Sequence, residues 1–145
     1  MRRMSETPSE ATCIFCKIAH KEIPARVVYE DENTLAFLDH LPNTAGHTLV
    51  IPKKHATNIF DTDAETLAVT METARKISPA VRDAVGGKGV HLNSNHGEAA
   101  GQIVMHLHFH IIPRHDRSEF EFWSHHEIDP VEADAVAEKI KTALV

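Results

Sequence analysis

Short stretches rich in apolar, β-branched and aromatic residues recur along this chain and are typical of β-strands. Five of them predict strands, at 26–30, 34–38, 48–51, 90–95 and 103–112. The polar segment 31–33 separates the first two runs and predicts a hairpin. The last run alternates strictly between histidine and apolar residues over 106–111, so its two faces differ in chemistry.

Apolar positions at helical spacing predict three helices around these strands. A short helix covers 13–20, before Pro24. The longest helix opens at 62–65, which has the form of a capping box. It ends at the glycines at 86 and 87, and we expect Pro79 to kink it. Its apolar stripe consists of Leu67, Met71, Ala74, Ile77 and Val81. A last helix opens at 129–132 and carries Val136, Ile140 and Leu144 on one face.

Hairpins followed by a long helix and further strands favour an antiparallel sheet with helices packed on it, the α+β class. The chain has 145 residues and no internal repeat, which indicates one domain. Its formal net charge of −6 disfavours binding to nucleic acid or to an anionic membrane, because the long-range field repels polyanions. No apolar run approaches the ~18–20 residues of a membrane-spanning helix. We therefore expect neither nucleic acid nor a membrane as partner.

Residues 1–12 lack the apolar core of a secretory signal and predict a flexible lead-in. A cytoplasmic location, with the two cysteines reduced, is expected by default.

The segment 105–112 contains the most informative candidate functional residues. His106, His108 and His110 face one way and the apolar residues between them face the other, with about 6.6 Å between successive histidines of the row. A single histidine is most often structural, but three in register indicate a ligand, a phosphate or a metal ion opposite them.

A small-residue loop at 95–102 lies directly before this row, and its backbone N–H groups can approach an anion closely. Imidazole suits phosphoryl chemistry near pH 7, because its ordinary pKa of about 6.5 allows one neutral nucleophile beside a protonated acid. The sequence thus favours a phosphate site beside candidate histidine nucleophiles.

These motifs resemble the histidine-triad (HIT) superfamily, whose signature matches His106-Leu107-His108-Phe109-His110-Ile111-Ile112. Further blocks match at 14–15, 21–24, 35–39, 46–55 and 100–104. The resemblance defines a HIT domain at 13–114. Within the superfamily, the chain most resembles the Hint-like proteins. It implies a five-stranded antiparallel sheet with a main helix and shorter helices, which pairs with a second chain into a ten-stranded dimer. The remaining segment, 115–145, is expected as a tail and helix packed on the same domain.

The resemblance also implies roles for individual residues. His108 would be the nucleophile, His110 would contact the phosphate and assist the leaving group, and His47 would orient the row from behind. Nucleotide-binding positions would be Asp39 at the ribose; Asn95, Gly101, Gln102 and the backbone of Ile103 at the α-phosphate; and Phe15, Ile18 and Phe37, with Ile14, around the purine. His40 is a further nucleotide-binding position, and it departs from the family pattern because many members have an apolar residue there against the sugar or base. Ile103 also departs, since some members have serine at that position.

Cys13 and Cys16 have the C-x-x-C spacing of metal ligands, and with no other cysteine in the chain two histidines must complete a zinc site. The alternative is a pair of inert, half-buried thiols. The resemblance implies that His55 and His106 are the other ligands of a structural zinc. No organic cofactor is expected.

The function implied is a hydrolase or nucleotidyl transferase. It acts on the α-phosphate of purine nucleotide derivatives, such as phosphoramidates and adenylates, through a nucleotidyl-histidine intermediate. Three alternatives stay open. They are a diadenosine polyphosphate hydrolase or phosphorylase, a nucleotide-binding interaction protein with little turnover, and a metal-dependent enzyme that uses the three histidines.

Overall fold

A five-stranded antiparallel sheet with one long helix and shorter ones forms the computed structural model of this chain, which describes residues 8–120 and 123–144. The expected α+β fold is thereby confirmed. The strands are β1 (Val27–Glu30), β2 (Thr34–Leu38), β3 (Thr48–Pro52), β4 (Gly89–Asn93) and β5 (Phe109–Arg114), in the spatial order β1-β2-β3-β5-β4. The helices are α1 (Pro8–Thr12), α2 (Ile14–Ala19), α3 (Ala64–Ala84) and α4 (Pro130–Ala143), with 3₁₀ turns at Glu98–Ala100 and Arg117–Glu119. Because β1 and β4 are the edges of this sheet, the ten-stranded dimer stays a prediction that would use one of these edges.

The two faces of the sheet bury different helices, because alternate side chains of a strand point in opposite directions. One face packs against α3, and it includes Leu107, Phe109 and Ile111 as the alternation predicts. The other face packs against α2 through Phe15, Ile18, Leu35, Phe37, Leu49 and Ile51. The histidines of the row point to the α2 side, where Phe15 contacts two of their rings.

The predicted buried stripe of α3 is right for Ala74, Ile77 and Val81 but wrong for Met71, which is 38% exposed. Three threonines of α3 are buried in addition: Thr66, Thr70 and Thr73. Their hydroxyls are hydrogen-bonded, as in the 2.7 Å contact between Thr73 and Thr34 Oγ1, which removes the cost of burying them.

The start of α3 differs in detail from the capping box predicted at 62–65. Asp63 is the N-cap, and its carboxylate accepts a hydrogen bond from the Thr66 N–H at 2.7 Å. The helix continues without a break through Pro79 and ends at Ala84.

Strand β5 begins at Phe109, so the predicted strand 103–112 is wrong over its first half. The reason lies in the pairing: β3 pairs with β5 only as far as Val50, opposite Phe109, and Leu107 N–H instead donates to the carbonyl of Ala56 at 2.7 Å. The carbonyl of Val104 likewise accepts from the Gln102 side chain rather than from a strand. His106, in a bend, and His108 therefore precede the strand, and only His110 lies within it.

Helix α4 forms as predicted, but its predicted packing on the domain is not observed. None of its described side chains is buried, and Val136, Ile140 and Leu144 are exposed. The physical reason is that α2 and α3 already cover the two faces of the sheet.

At the other end of the chain, residues 1–7 of the predicted lead-in lie outside the described residues, whereas Pro8–Thr12 is helical. Within the described part of the chain, no helix combines the length and the apolar character needed to cross a bilayer.

The packing predicts where a core truncation is costly. Ile111 is fully buried against α3, so Ile111→Ala is expected to lower the free energy of unfolding by about 2–5 kcal/mol in urea titrations. The half-exposed Met71→Ala is the control and should change it by less than about 0.5 kcal/mol. Equal effects of the two substitutions would contradict the packing described here.

Candidate active site and metal site

The imidazole of His108 is buried and has one tautomer imposed by the backbone. Its Nδ1 lies 2.6 Å from the carbonyl oxygen of His106, and since a carbonyl only accepts, Nδ1 must carry the proton. In the neutral ring the lone pair then belongs to Nε2, on a ring that lines a cavity. Burial lowers the pKa of His108 below the ordinary histidine value, which favours this neutral form.

His47 and His110 form a hydrogen-bonded pair, and the positions of their protons are equally well defined. The backbone N–H of Asn43 donates to Nδ1 of His47 at 3.0 Å, so the proton of a neutral His47 is on Nε2. That Nε2 lies 2.8 Å from Nδ1 of His110 and donates to it. The remaining proton of His110 is thereby directed to Nε2, and this ring, like His108, lines the cavity.

Both rings of this pair favour the neutral state. Burial lowers the pKa of His47. Burial, and next the neighbouring imidazoles of His108 and His47, lower the pKa of His110 to about 4. Near pH 7, His110 therefore offers a hydrogen-bond donor and His108 a lone pair, and neither ring carries a positive charge.

Asp39 lies at the cavity beside these rings. Its Oδ1 accepts from the backbone N–H of Leu41 at 2.9 Å, and its Oδ2 lies 3.7 Å from His47 Nε2. His40 also lines the cavity, with a largely exposed ring whose Nδ1 is 3.8 Å from Asp39 Oδ1. A carboxylate in this position can accept hydrogen bonds from a diol.

An apolar slot of about 350 Å³ opens between α2 and the sheet, within the range of about 300–1,000 Å³ typical of small-molecule sites. The structure brings together there the predicted apolar residues Ile14, Phe15, Ile18 and Phe37. Phe15 lies edge-on to Phe37, with 5.5 Å between ring centroids. Sequence reasoning missed Leu41, Leu49 and Val104; the alternation along β3, which places Leu49 on the α2 face, was the available signal for one of them.

Asn95, Gly101 and Ile103 line the same cavity, as the resemblance implies for a phosphate seat. Gly101 has a left-handed φ of +87°, and its carbonyl accepts from the Asn95 side chain at 3.3 Å. Only glycine adopts this conformation without strain, so the tight turn is built into the sequence at this position.

Gln102, by contrast, does not line the cavity. Its buried amide makes four hydrogen bonds, with Asn58, Gly97, Thr57 and Val104. The side chain has no further donor or acceptor capacity, so it cannot also hold a phosphate. We therefore assign Gln102 the role of fixing the loop and not the direct phosphate contact expected from the sequence.

Two further positioning residues escaped the sequence analysis. Ser94 donates from Oγ to the carbonyl of His108 at 2.8 Å and so holds the backbone of the candidate nucleophile. Asn58 donates to Gln102 and holds the loop from the other side. A lone serine and a lone asparagine outside any motif give no signal in a single sequence.

A second cluster consists of Cys13, Cys16, His55 and His106, and Phe15 contacts the His106 ring of this cluster. Zinc bound tetrahedrally by sulfur and nitrogen needs ligand atoms about 3.3–3.8 Å apart. Here the Cys16 Sγ–His106 Nδ1 distance is 3.5 Å, and the distances from His55 Nδ1 to Cys16 Sγ and to His106 Nδ1 are 3.2 Å. Cys13 Sγ lies 3.4 Å from His106 Nδ1. The residues present thus fit a zinc ion.

The hydrogen bonding of His106 is also consistent with a role as a zinc ligand. Its Nε2 lies 2.8 Å from the carbonyl of Pro52 and must donate to it, which leaves the Nδ1 lone pair directed at the cysteines. With four protein ligands the ion would have no open position for water, so it would be structural. It would connect α2 to the segment that carries His108.

Comparisons with known proteins agree with these motifs. A family model described as HIT domain matches residues 20–117. An uncharacterised HIT-like protein of Methanocaldococcus jannaschii is 43% identical over 129 residues, which cover 89% of this chain and 98% of that protein. The adenylylsulfatase HINT3 of Arabidopsis thaliana is 41% identical over 105 residues, which cover 72% of this chain and 53% of that protein.

Solved structures are similar as well. A HIT family protein from Bacillus subtilis superposes with a TM-score of 0.85 at 40% identity, over 92% of this chain and 98% of that chain. A histidine triad nucleotide-binding protein from Candida albicans has a TM-score of 0.81 at 31% identity, over 92% and 97%. A zinc-bound histidine triad family protein from Mycobacterium smegmatis has a TM-score of 0.73 at 36% identity, over 92% and 99%.

The metal cluster predicts a defined stoichiometry. Metal analysis of the purified protein is expected to give about one zinc per chain, because one set of four ligands converges. Cys13→Ser should lower this content and the melting temperature together, since a bound ion would cross-link the start of α2 to the segments that carry His55 and His106. His126→Asn, at an exposed position, is the control. Full zinc content in Cys13→Ser would contradict the assignment.

The histidine pair predicts a distinctive titration. Long-range ¹H–¹⁵N spectra should show His110 as the Nε2–H tautomer at pH 7, with a midpoint near the lowered pKa of about 4. Since its pKa is about 6.5 when unfolded, the unfolded state binds more protons between these values. Stability should therefore fall as the pH drops from about 6.5 towards 4. A midpoint at or above 6.5, or an Nδ1–H tautomer, would exclude the proposed hydrogen bond from His47.

Proposed function

The chain belongs to the HIT domain family, and on that premise we propose that it is a nucleotide-binding hydrolase acting on the α-phosphate of purine nucleotide derivatives. Its substrates would be nucleoside phosphoramidates or adenylates, and its intermediate a nucleotidyl-histidine on His108. The similar Candida albicans protein is named for nucleotide binding and the Arabidopsis relative for adenylylsulfatase activity, which supports this class of substrate.

The observation that carries the proposal is the hydrogen bond from His108 Nδ1 to the carbonyl of His106. It leaves the lone pair of the neutral ring on Nε2, and this ring lines the cavity; a free lone pair is what a nitrogen nucleophile needs. The same row holds His110 beside it, with 4.9 Å between the ring centroids.

The first step is attack by His108 Nε2 on the α-phosphorus. The bond from Nε2 to phosphorus forms while the bond from phosphorus to the leaving group breaks. The leaving group takes up a proton from solvent water as it departs, because the His110 imidazole is itself neutral near pH 7. His110 Nε2–H donates a hydrogen bond to the phosphate or the departing atom, and its orientation is maintained by His47. The loop that contains Asn95 and Gly101 supplies further donors to the phosphate oxygens.

The second step is hydrolysis of the intermediate. A water molecule attacks phosphorus from the side that the leaving group vacated and gives up a proton to solvent. The bond to Nε2 breaks, His108 returns to its neutral form, and a nucleoside monophosphate is released. Dividing one displacement into two in this way is the contribution of the covalent intermediate.

The nucleoside part of the substrate is held by groups already in position. Asp39, restrained by the Leu41 N–H, accepts hydrogen bonds from the ribose hydroxyls. Phe15, Ile18 and Phe37 enclose the base in the apolar slot. Zinc bound by Cys13, Cys16, His55 and His106 would supply structural cross-linking and no reaction chemistry.

The proposal predicts a trapped intermediate. Rapid quenching with an adenosine phosphoramidate, followed by intact-protein mass spectrometry, is expected to reveal a covalent adenylyl adduct. His108→Ala should abolish the adduct and reduce kcat by at least about a thousandfold, because the nucleophile is removed.

His126→Ala alters an exposed histidine outside the site and should retain both the adduct and the rate. Normal turnover by His108→Ala would refute the proposed mechanism. Tight nucleotide binding with no turnover of any substrate would instead favour a binding protein.

A further inference from the structure

Arg114 is the last residue of β5 and lies on the same face of that strand as His110, four positions earlier. Four residues of strand separate the two Cα atoms by about 13 Å. The two side chains are linked through the loop 39–47, which joins β2 to β3 and carries His47. Arg114 has no part in the two chemical steps proposed above, so this link needs a separate explanation.

Three hydrogen bonds in series lead from Arg114 to His110. The guanidinium of Arg114 donates to the side-chain oxygen of Asn43 at 2.6 Å. The backbone N–H of Asn43 donates to Nδ1 of His47 at 3.0 Å, and Nε2 of His47 donates to Nδ1 of His110 at 2.8 Å. The arginine therefore restrains the residue whose N–H fixes the tautomer of His47, and through it the tautomer of His110.

The loop 39–47 contains no helix or strand, so its position depends on individual contacts. The end of β5 supplies two of them, to consecutive residues of the loop. The hydroxyl of Thr44 donates to the carbonyl of Pro113 at 3.1 Å, and the next strand residue, Arg114, holds Asn43. The bond from Arg114 is charge-assisted and is therefore the stronger kind.

The guanidinium of Arg114 is itself oriented by two other segments. Its Nε donates to Nδ1 of His91 on β4 at 2.9 Å, and its Nη1 donates to the carbonyl of Glu119 at 3.1 Å. The ring of Phe120 lies 5.9 Å from the guanidinium carbon, measured to the ring centroid. The planar fork of arginine serves several acceptors at once, whereas a lysine ammonium is a point charge on a flexible stem. A lysine at this position would therefore not reproduce the arrangement.

The charge of Arg114 favours the same state of His47 as the hydrogen bonds do. Burial lowers the pKa of His47, the Asp39 carboxylate opposes this effect, and the Arg114 guanidinium lowers the pKa further. A neutral His47 accepts from Asn43 through Nδ1, whereas a doubly protonated ring has no lone pair for that bond. The guanidinium thus supports the protonation state in which His47 connects the loop to His110.

We propose that Arg114 is a positioning residue for the candidate active site and acts through Asn43 and His47 to keep the proton of His110 on Nε2. The inference rests on the proposed function and deepens it, because His110 there donates a hydrogen bond to the phosphate or the departing atom. With the other tautomer, His110 would present a lone pair to the phosphate oxygens. Arg114 itself lies outside the described lining of the cavity, so it touches no reacting atom.

The test is a double-mutant cycle on Arg114 and Asn43, carried out first on the full chain without ligand. Arg114→Ala and Asn43→Ala each remove the contact between the two side chains, and Asn43→Ala keeps the backbone N–H. Long-range ¹H–¹⁵N spectra at pH 7 measure the tautomers of His47 and His110. Each substitution is expected to produce an Nδ1–H population of His110. The double variant should produce no more than Arg114→Ala alone, because both act through one contact.

Turnover of an adenosine phosphoramidate supplies the second readout. Arg114→Ala is expected to lower kcat about tenfold and to change KM less than about twofold, because the donor to the phosphate is misplaced while Asp39 and the apolar slot are unchanged. Asn43→Ala should cause much of the same loss. Asn43→Asp retains an acceptor for the guanidinium and should restore kcat, whereas Arg114→Lys should restore little. Arg82→Ala removes an exposed arginine that pairs with Asp83 on α3, and it should leave spectra and rates unchanged.

The outcomes separate this inference from the function on which it rests. Wild-type tautomers and kcat in both single variants would overturn the inference, as would effects that simply add in the double variant. A lower melting temperature with unchanged tautomers would assign Arg114 a structural role alone and would also overturn it. If Arg114→Ala does not fold, Asn43→Ala decides, since that side chain is exposed. Absence of the adenylyl adduct on His108 of the unaltered chain would refute the proposed function and leave the tautomer result standing.

Discussion

The hydrogen bond between Nδ1 of His108 and the carbonyl of His106 is the interaction on which the site depends. At 2.6 Å it ties a buried imidazole to its own backbone and fixes both the ring's orientation and its tautomer. It exists because the backbone at 106–108 is held from three sides: Leu107 N–H bonds to Ala56, Ser94 bonds to the His108 carbonyl, and the His106 ring bonds to Pro52. A lone pair confined to Nε2 of the neutral ring follows from this restraint, before any substrate is considered.

The same backbone segment connects the candidate active site to the candidate zinc site. His106 and His108 are two residues apart on one face, and Phe15 packs edge-on against both, at 6.0 and 5.1 Å between ring centroids. Phe15 itself is located between Cys13 and Cys16 on the chain, at the start of α2. An ion that bound the two cysteines and His106 would therefore restrain the apolar wall and the candidate nucleophile together. Such an ion would act through the fold alone, and it would join Cys13 and His106, which are 93 residues apart in sequence.

Much of this arrangement was accessible from the sequence because alternation in an extended segment is a geometric rule. It placed His106, His108 and His110 opposite Leu107, Phe109 and Ile111 correctly, although the strand itself begins only at Phe109. The late start was not predictable, because it depends on where the pairing with β3 ends and on the hydrogen bond that Leu107 N–H donates to the carbonyl of Ala56, a residue distant in sequence. The buried threonines of α3 were missed for a related reason, since their hydroxyls are satisfied by partners such as Thr34 that only the fold provides. Gln102 belongs to a matching block, but only its four hydrogen bonds reveal that it supports the loop.

The account's central claim is that Nε2 of His108 faces the α-phosphorus of a bound nucleotide. A crystal structure of the protein with a non-reactive analogue of an adenosine 5′-phosphoramidate tests this most directly. The account predicts that Nε2 lies about 3–3.5 Å from phosphorus and opposite the leaving group, with the base in the slot beside Phe15. A phosphate bound outside this reach, or a His108 ring whose Nε2 is bound to a metal ion or turned into the core, would contradict it.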